Sequence, residues 1–255
     1  MPKLRKCAYC KKEVKLTREH IWPSCLITRM PELQVNYLKN NRLFTAGDLV
    51  IADVCAACNN IKLSPLDAYF CSLYDGYFKT YKEDLTPFKF EYDYNLLLRS
   101  LLKITYNSSR TVNREYNDFE KYREFILTGN GIHQEILIKL DIVQPAMVKG
   151  KKFYPSSARC GEIQIGGPTP NFLLRLIAVN SFYFYIVISK SAVLRSDMEE
   201  EFNRIFDNLQ GTIIHPYKQG VIVDTFSDVD TLNSHGDFLA STQELYFEYV
   251  AKKKR

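Results

Sequence analysis

The stretch LTREHIWPSC, Leu16 to Cys25, sets Glu19 beside His20, between a cysteine pair at Cys7/Cys10 and another at Cys55/Cys58. Alone, an acid–histidine pair is ordinarily a surface feature. Between two cysteine pairs it reads as half of a metal-dependent hydrolytic site, so the fold turns on what the cysteines do. CAYC and CAAC each have the CxxC spacing at which two thiolates reach one tetrahedral zinc from a tight knuckle, and together they complete a four-thiolate shell. Such a shell has no open position, so this zinc is expected to be structural. The knuckles are far apart in sequence, which requires a hairpin with a long loop between them. Neither sits in a βαβ context, which argues against a redox pair. Cys25, Cys71 and Cys160 are left over and are expected to be buried as small apolar residues.

On a regular strand neighbouring side chains face opposite ways, so Glu19 and His20 cannot serve one centre from flat β geometry. They must sit where a strand ends or twists, and Pro23, which cannot continue a central ladder, agrees. A neutral imidazole near pH 7 can take a proton from water. A divalent ion held by one or two oxygen ligands would keep positions free for a phosphate. Carboxylate and amide oxygens suit Mg²⁺ or Mn²⁺ while thiolates suit zinc, so the two metals can coexist.

The order CxxC, acid–His–Ile–x–Pro, apolar run, CxxC–Asn, carried by CAYC, EHIWP and CAACN across roughly residues 4 to 64, resembles the HNH endonuclease family. The resemblance implies a ββα-metal module with a four-cysteine zinc, hydrolysing phosphodiester bonds in DNA with one catalytic Mg²⁺ or Mn²⁺. His20 matches the general base, Glu19 the acid that holds the catalytic metal, and Asn59 the second metal ligand at the helix start. Cys7, Cys10, Cys55 and Cys58 match the structural zinc. The family's middle Asn, which orients the histidine loop, has no counterpart at its usual spacing; Asp48 stands two residues earlier. Asn59 also reads as a residue capping the turn after the knuckle, Arg18 and Lys62 as phosphate contacts or a solvated face, and Trp22 as packed on the zinc knuckle. The resemblance extends to restriction and anti-phage effectors, with an activating protein partner or homo-oligomer as further expectations. The competing reading is a zinc-stabilised nucleic-acid-binding or adaptor protein with a degenerate nuclease centre.

The whole chain of 255 residues is 46% hydrophobic and 13% aromatic, enough for a substantial core and too much for global disorder. Its formal charge of +5 becomes informative where it clusters, in residues 1 to 20 and in the final KKKR, patches that suit a phosphate backbone or solvated termini. The N-terminus runs into charged residues and CxxC without an apolar stretch. The most hydrophobic segment, FLLRLIAVNSFYFYIVIS, reads as two strands turning at Asn180–Ser181 rather than a membrane span. A cytoplasmic location, with no membrane partner, is therefore expected.

Three zones follow in an α+β chain: residues 1–64 as the nuclease module, 65–129 as a helical extension packed on it, and 130–255 as an α+β domain for recognition, oligomerisation or control. SPLDAY suggests a helix with Ser64 as N-cap and Pro65 at its first position. YNLLLRSLLKITY and EYNDFEKYREFIL have helical spacing, stopped by Gly129 and Gly131. EILIKLDIV, GEIQIGG, FLLRLIAV, FYFYIVIS and GVIVDTF read as strands, and SDMEEEFNRIFDNL as a helix. His133, His215 and His235 show no metal-ligand spacing. The NSS sequon at Asn107 falls at a helix end and is set aside.

Overall fold

The first knuckle is the turn between β1 (Arg5–Lys6) and β2 (Glu13–Val14), which pair antiparallel. Lys11, at φ 61°, bends the chain back, and its N–H donates to the Cys7 carbonyl. The computed structural model describes residues 4–30, 35–38, 43–46, 49–111, 116–131, 133–148, 150–155, 158–162, 171–190, 195–205 and 211–227. Strand β3 (Leu16–His20) leads through Pro23 into α1 (Ser24–Arg29), followed by a hairpin of β4 (Val35–Leu38) and β5 (Leu43–Ala46). β6 (Val50–Cys55) then returns antiparallel to β3 and ends on the second knuckle. Asp48 lies outside the described residues.

Helical backbone begins right after Cys55 and not at Ser64. A π-helical turn, Cys58–Leu63, runs into α2 (Ser64–Leu73), and Ser64 is itself helical and caps nothing. Pro65 explains the irregularity. Lacking an N–H and crowding the carbonyl one turn back, it is tolerated in a continuous helix where the preceding turn is widened. Aromatic side chains then dominate: Phe70, Phe78, Phe90 and Phe184 follow one another at centroid distances of 5.7–6.3 Å.

The segment read as purely helical contains a strand, β7 (Phe88–Glu91), before α3 (Tyr94–Ser109), α4 (Tyr116–Glu120) and α5 (Arg123–Thr128). Asp93 caps α3 by accepting from the Leu96 N–H at 2.9 Å. Gly129, left-handed at φ 73°, closes α5, and a Cβ there would meet Asn95 Oδ1 at 2.8 Å. α3 is buried over most of its circumference and runs through the middle of the molecule.

In the last segment β8 (Ile136–Val143) is followed by a hairpin of β9 (Ala146–Val148) and β10 (Lys151–Phe153). Next come β11 (Ala158–Glu162), β12 (Phe172–Val179) and β13 (Phe182–Ser189). After α6 (Arg195–Ile205) follow β14 (Thr212–Ile213), β15 (Gly220–Val223) and β16 (Phe226–Ser227). The main sheet has the order β11-β12-β13-β8-β14, with β16 parallel to β8. β12 and β13 turn at Asn180 (φ 51°) and Ser181, as the sequence suggests, and every residue of β8, β12 and β13 is buried. Of the GEIQIGG segment, only Gly161 and Glu162 fall among the described residues. β15 pairs with β7, and one apolar core runs from Cys7 through α2 and α3 to Val223, so all three sequence zones contribute to it. Among the described residues no helix is long and apolar enough to cross a membrane.

Two of the three leftover cysteines do not stay as free apolar side chains. Cys25 of α1 and Cys71 of α2 form a disulfide, their Cα atoms 6.4 Å apart. The ion pair of Arg29 in α1 with Asp75, in the helical turn that follows α2, lies nearby, with both contacts at 2.7 Å. Cys160 is half-buried and free.

Candidate functional site

The knuckles converge as their spacing requires. The sulfur atoms of Cys7, Cys10, Cys55 and Cys58 all lie within 4.8 Å of one another, close enough to hold a metal ion. Cys10 and Cys55 Sγ are 3.8 Å apart. That matches the roughly 3.8 Å edge of a tetrahedron with Zn–S bonds of about 2.3 Å, so zinc fits this donor set. The Cys55 N–H donates to Cys7 Sγ at 3.3 Å and the Cys58 N–H to Cys55 Sγ at 3.4 Å. Burial pushes the Cys7 thiol up, but backbone N–H groups of Cys55, Cys10 and Tyr9 outweigh it and bring it from 9.0 to about 7. Burial, with the neighbouring sulfurs, pushes Cys58 strongly up. Four sulfurs this close cannot all ionise without a cation among them, which is what a divalent ion supplies.

Glu19 and His20 sit at an irregularity, as adjacency demands. Thr17 pairs with Val54 but Glu19 with Ile51, so two residues of β6, Ala52 and Asp53, oppose the single Arg18, and β3 ends at His20. The carbonyls that the bulge frees are taken up by β1 and the first knuckle: Ala52 O accepts from the Arg5 side chain and Asp53 O from the Ala8 N–H. Asn59, one residue past the second knuckle, does not cap its own helix. Its side-chain amide donates to the Arg18 carbonyl at 2.7 Å and to Thr17 Oγ1 at 3.1 Å, fastening the helix to β3 one residue before Glu19. Arg18 and Lys62 are exposed, His20 half-buried. Trp22 is buried against Phe70 of α2, at 6.4 Å between centroids.

Beneath the bulge lies α3. Glu19 is 2% exposed, and its carboxylate meets Lys103 Nζ at 2.6 Å; the same ammonium meets Asp67 of α2 at 2.5 Å. Burial pushes the Glu19 carboxyl above its usual range, and Lys103 only partly offsets it. One turn along α3, Asn107 donates through Nδ2 to the His20 carbonyl at 3.1 Å and to Glu19 Oε1 at 3.4 Å. Its Oδ1 accepts from Tyr9 Oη at 2.7 Å and from Arg110 at 3.0 Å. Arg110 in turn pairs with Asp53 at 2.9 Å and stacks on Tyr106 at 4.2 Å.

Of the residues singled out in the sequence, the four cysteines come together, and Asn59 reaches the strand of Glu19 and His20. The Mg²⁺ or Mn²⁺ ligation that the resemblance implies does not fit this arrangement. Glu19 is buried and holds an ammonium, and an ion bound to it would put a second cation beside Lys103 in a site closed to water. Sequence reasoning missed Lys103, Asn107 and Arg110. Their signal is a set of polar side chains at i, i+4 and i+7 along a leucine-rich helix and its C-cap, a spacing that puts them on one face. Elsewhere His133 pairs with Glu135 at 3.0 Å and packs on Phe125, His215 lies near Tyr92, and His235 is outside the described residues. Comparison with protein-family models, with curated proteins and with solved structures finds no match.

Proposed function

We propose that the chain is a nuclease of the HNH type that hydrolyses phosphodiester bonds in DNA, with His20 as general base. The observation that carries this reading is the fastening of Asn59, just past the second cysteine knuckle, onto the strand that ends in Glu19–His20. It ties an antiparallel β-pair, a following helix and a four-cysteine cluster into one unit around a half-buried imidazole at a strand end. His20 takes the proton of the attacking water. Arg18 and Lys62, both exposed, steady the phosphate. Glu19 acts as a buried, Lys103-paired support under the histidine. The remainder of the chain serves target recognition, self-association or docking of an activating protein, as expected of a restriction or anti-phage effector whose activity must be held in check.

A second reading, a zinc-stabilised nucleic-acid-binding or adaptor protein with a closed nuclease centre, is favoured by one observation, the occupation of Glu19 by Lys103. Plasmid incubated with zinc-loaded protein and Mg²⁺, Mn²⁺ or EDTA, beside the His20→Ala variant, separates the two. The nuclease reading expects cutting that His20→Ala lowers by about 100-fold or more. Cutting that persists in His20→Ala removes His20 as the base. Retention of DNA with no cutting under any metal supports the adaptor. An arm with zinc-loaded protein and no added Mg²⁺ or Mn²⁺ distinguishes metal-dependent cleavage from one in which Arg18 and Lys62 alone steady the phosphate. EDTA, which also strips the cysteine-held zinc, serves as the inactive control.

A further inference from the structure

We infer that Asn107, far from the acid–histidine motif in sequence, is the positioning residue that holds His20 in place. The inference rests on the nuclease reading for what His20 does, but not for what holds it.

The peptide group between His20 and Ile21 is bonded at both ends. Its carbonyl accepts from Asn107 Nδ2 at 3.1 Å, and its N–H donates to the Leu49 carbonyl at 3.0 Å. The Leu49 bond is one the backbone of any strand pair can make. The Asn107 bond reaches in from another element, and its direction is determined by chemistry. An asparagine amide can be turned either way, with its donor and acceptor exchanged. Here Arg110 can only donate, so the atom facing it must be Oδ1, and the Tyr9 hydroxyl donates to the same oxygen. That leaves Nδ2 facing two groups that can only accept, the His20 carbonyl and the Glu19 carboxylate. All of the amide's hydrogen-bonding groups are therefore used, in one orientation. Arg110 is held in turn by Asp53 in the bulge of β6. A closed circuit thus runs from the strand opposite His20, through Arg110 and Asn107, back to the His20 backbone.

Burial agrees. Asn107 is fully buried, in the last turn of α3, where an amide is kept only if its hydrogen-bonding groups are all paired, as these are. The same burial closes the NSS sequon to glycosylation in the folded chain.

The test uses the full-length, zinc-loaded protein with isotope-labelled histidine. The chain has four histidines, so the Cε1–H region of the ring carbon–proton spectrum has four signals, and a His20→Gln spectrum identifies the one from His20. Asn107→Asp keeps the shape but replaces the donor with an acceptor. The His20 signal is expected to move, those of His133 and His215 to stay, and kcat on plasmid to fall by on the order of 100-fold with KM unchanged. Asn180→Asp is the control. It removes another buried amide–carbonyl bond, from Asn180 to the Phe78 carbonyl at 2.7 Å, remote from the site. It should leave the His20 signal where it is. A stationary His20 signal in zinc-replete Asn107→Asp overturns the inference, and so does an equal displacement in Asn180→Asp. Should Asn107→Asp fail to take up zinc, Asn107→Ala decides, since it removes the Nδ2 donor to the His20 carbonyl without placing a charge beside Glu19. A His20 displacement supports the inference and none overturns it. If wild type cuts no DNA, the nuclease reading fails while the His20 signal still tests Asn107.

Discussion

The β3–β6 pair and the C-terminal sheet both take a carboxylate out of water, on different terms. Under β3, Glu19 meets Lys103 and Asn107, and Lys103 also meets Asp67. In the C-terminal sheet Asp141 of β8 has Ser227 on one oxygen, while its Oδ1 and the Tyr185 hydroxyl have no hydrogen-bond partner among the described residues. The strands differ in the same sense. β3 and β6 have five and six residues with mixed exposure, whereas β8, β12 and β13 have eight each, all buried. A short pair cannot remove enough apolar surface from water to hold itself, so its order comes from the cysteine cluster and from paired polar groups. A long sheet covered on both faces is held by packing and can carry an imperfectly solvated acid. The lesson is that specificity concentrates where packing is weakest.

Removing the metal should break the comparison most strongly. Stripping zinc with a chelator, or Cys58→Ser, is expected to expose the backbone of residues 5–20 and 50–55 to hydrogen exchange while 136–143 and 172–189 stay protected. Structural zinc in small modules contributes about 10 kcal/mol or more. Simultaneous loss of protection in both sheets would show that they stand or fall together through the shared core.

Lys103→Ala comes next. It leaves Glu19 and Asp67 without their common cation, and breaking a buried pair in this way costs about 3–5 kcal/mol. The deficit in urea unfolding should shrink as pH falls, because Glu19, already raised by burial, then takes a proton and ceases to be a buried charge. A loss under about 1 kcal/mol at pH 7 would mean that the ion cluster is not what secures the bulge.

The smallest effect has the opposite sign. Burial raises Asp141 from 3.8 to about 6, with the Ser227 hydrogen bond only partly offsetting it. The folded state therefore binds this proton more tightly than the unfolded chain. The associated stability is fully present below about pH 4 and lost as pH rises through about 6, by up to about 3 kcal/mol. Asp141→Asn should thus be more stable than wild type at pH 7, by at most that amount, and lose this advantage at pH 4. An Asn variant less stable at both pH values would point to an unrecognised partner of Asp141.

Much of this was legible because it depends on local spacing. CxxC twice over states a four-sulfur cluster, since two residues between thiols are what a knuckle needs. Asn180–Ser181 between two apolar runs states a hairpin, and Gly129 a helix stop. Pro65 was misread: in isolation it starts a helix, but the chain was already helical from the knuckle, and the proline widened a turn instead. Cys25 and Cys71 could not be paired from sequence, because nothing local brings α1 onto α2. Phe88–Glu91 read as part of a helical zone because its partner β15 lies across the presumed boundary.

The acid–histidine pair divides most sharply. Sequence alone determined that Glu19 and His20 are neighbours, that they lie between two CxxC knuckles, and that Asn59 follows the second, because these are facts of order along one short stretch. Only the tertiary structure decided that Glu19 is held by Lys103 and that Asn107 holds the carbonyl of His20. Both come from a helix some 80 residues away, and a hydrogen bond between such partners depends on how α3 passes beneath a bulged strand, which no local spacing records.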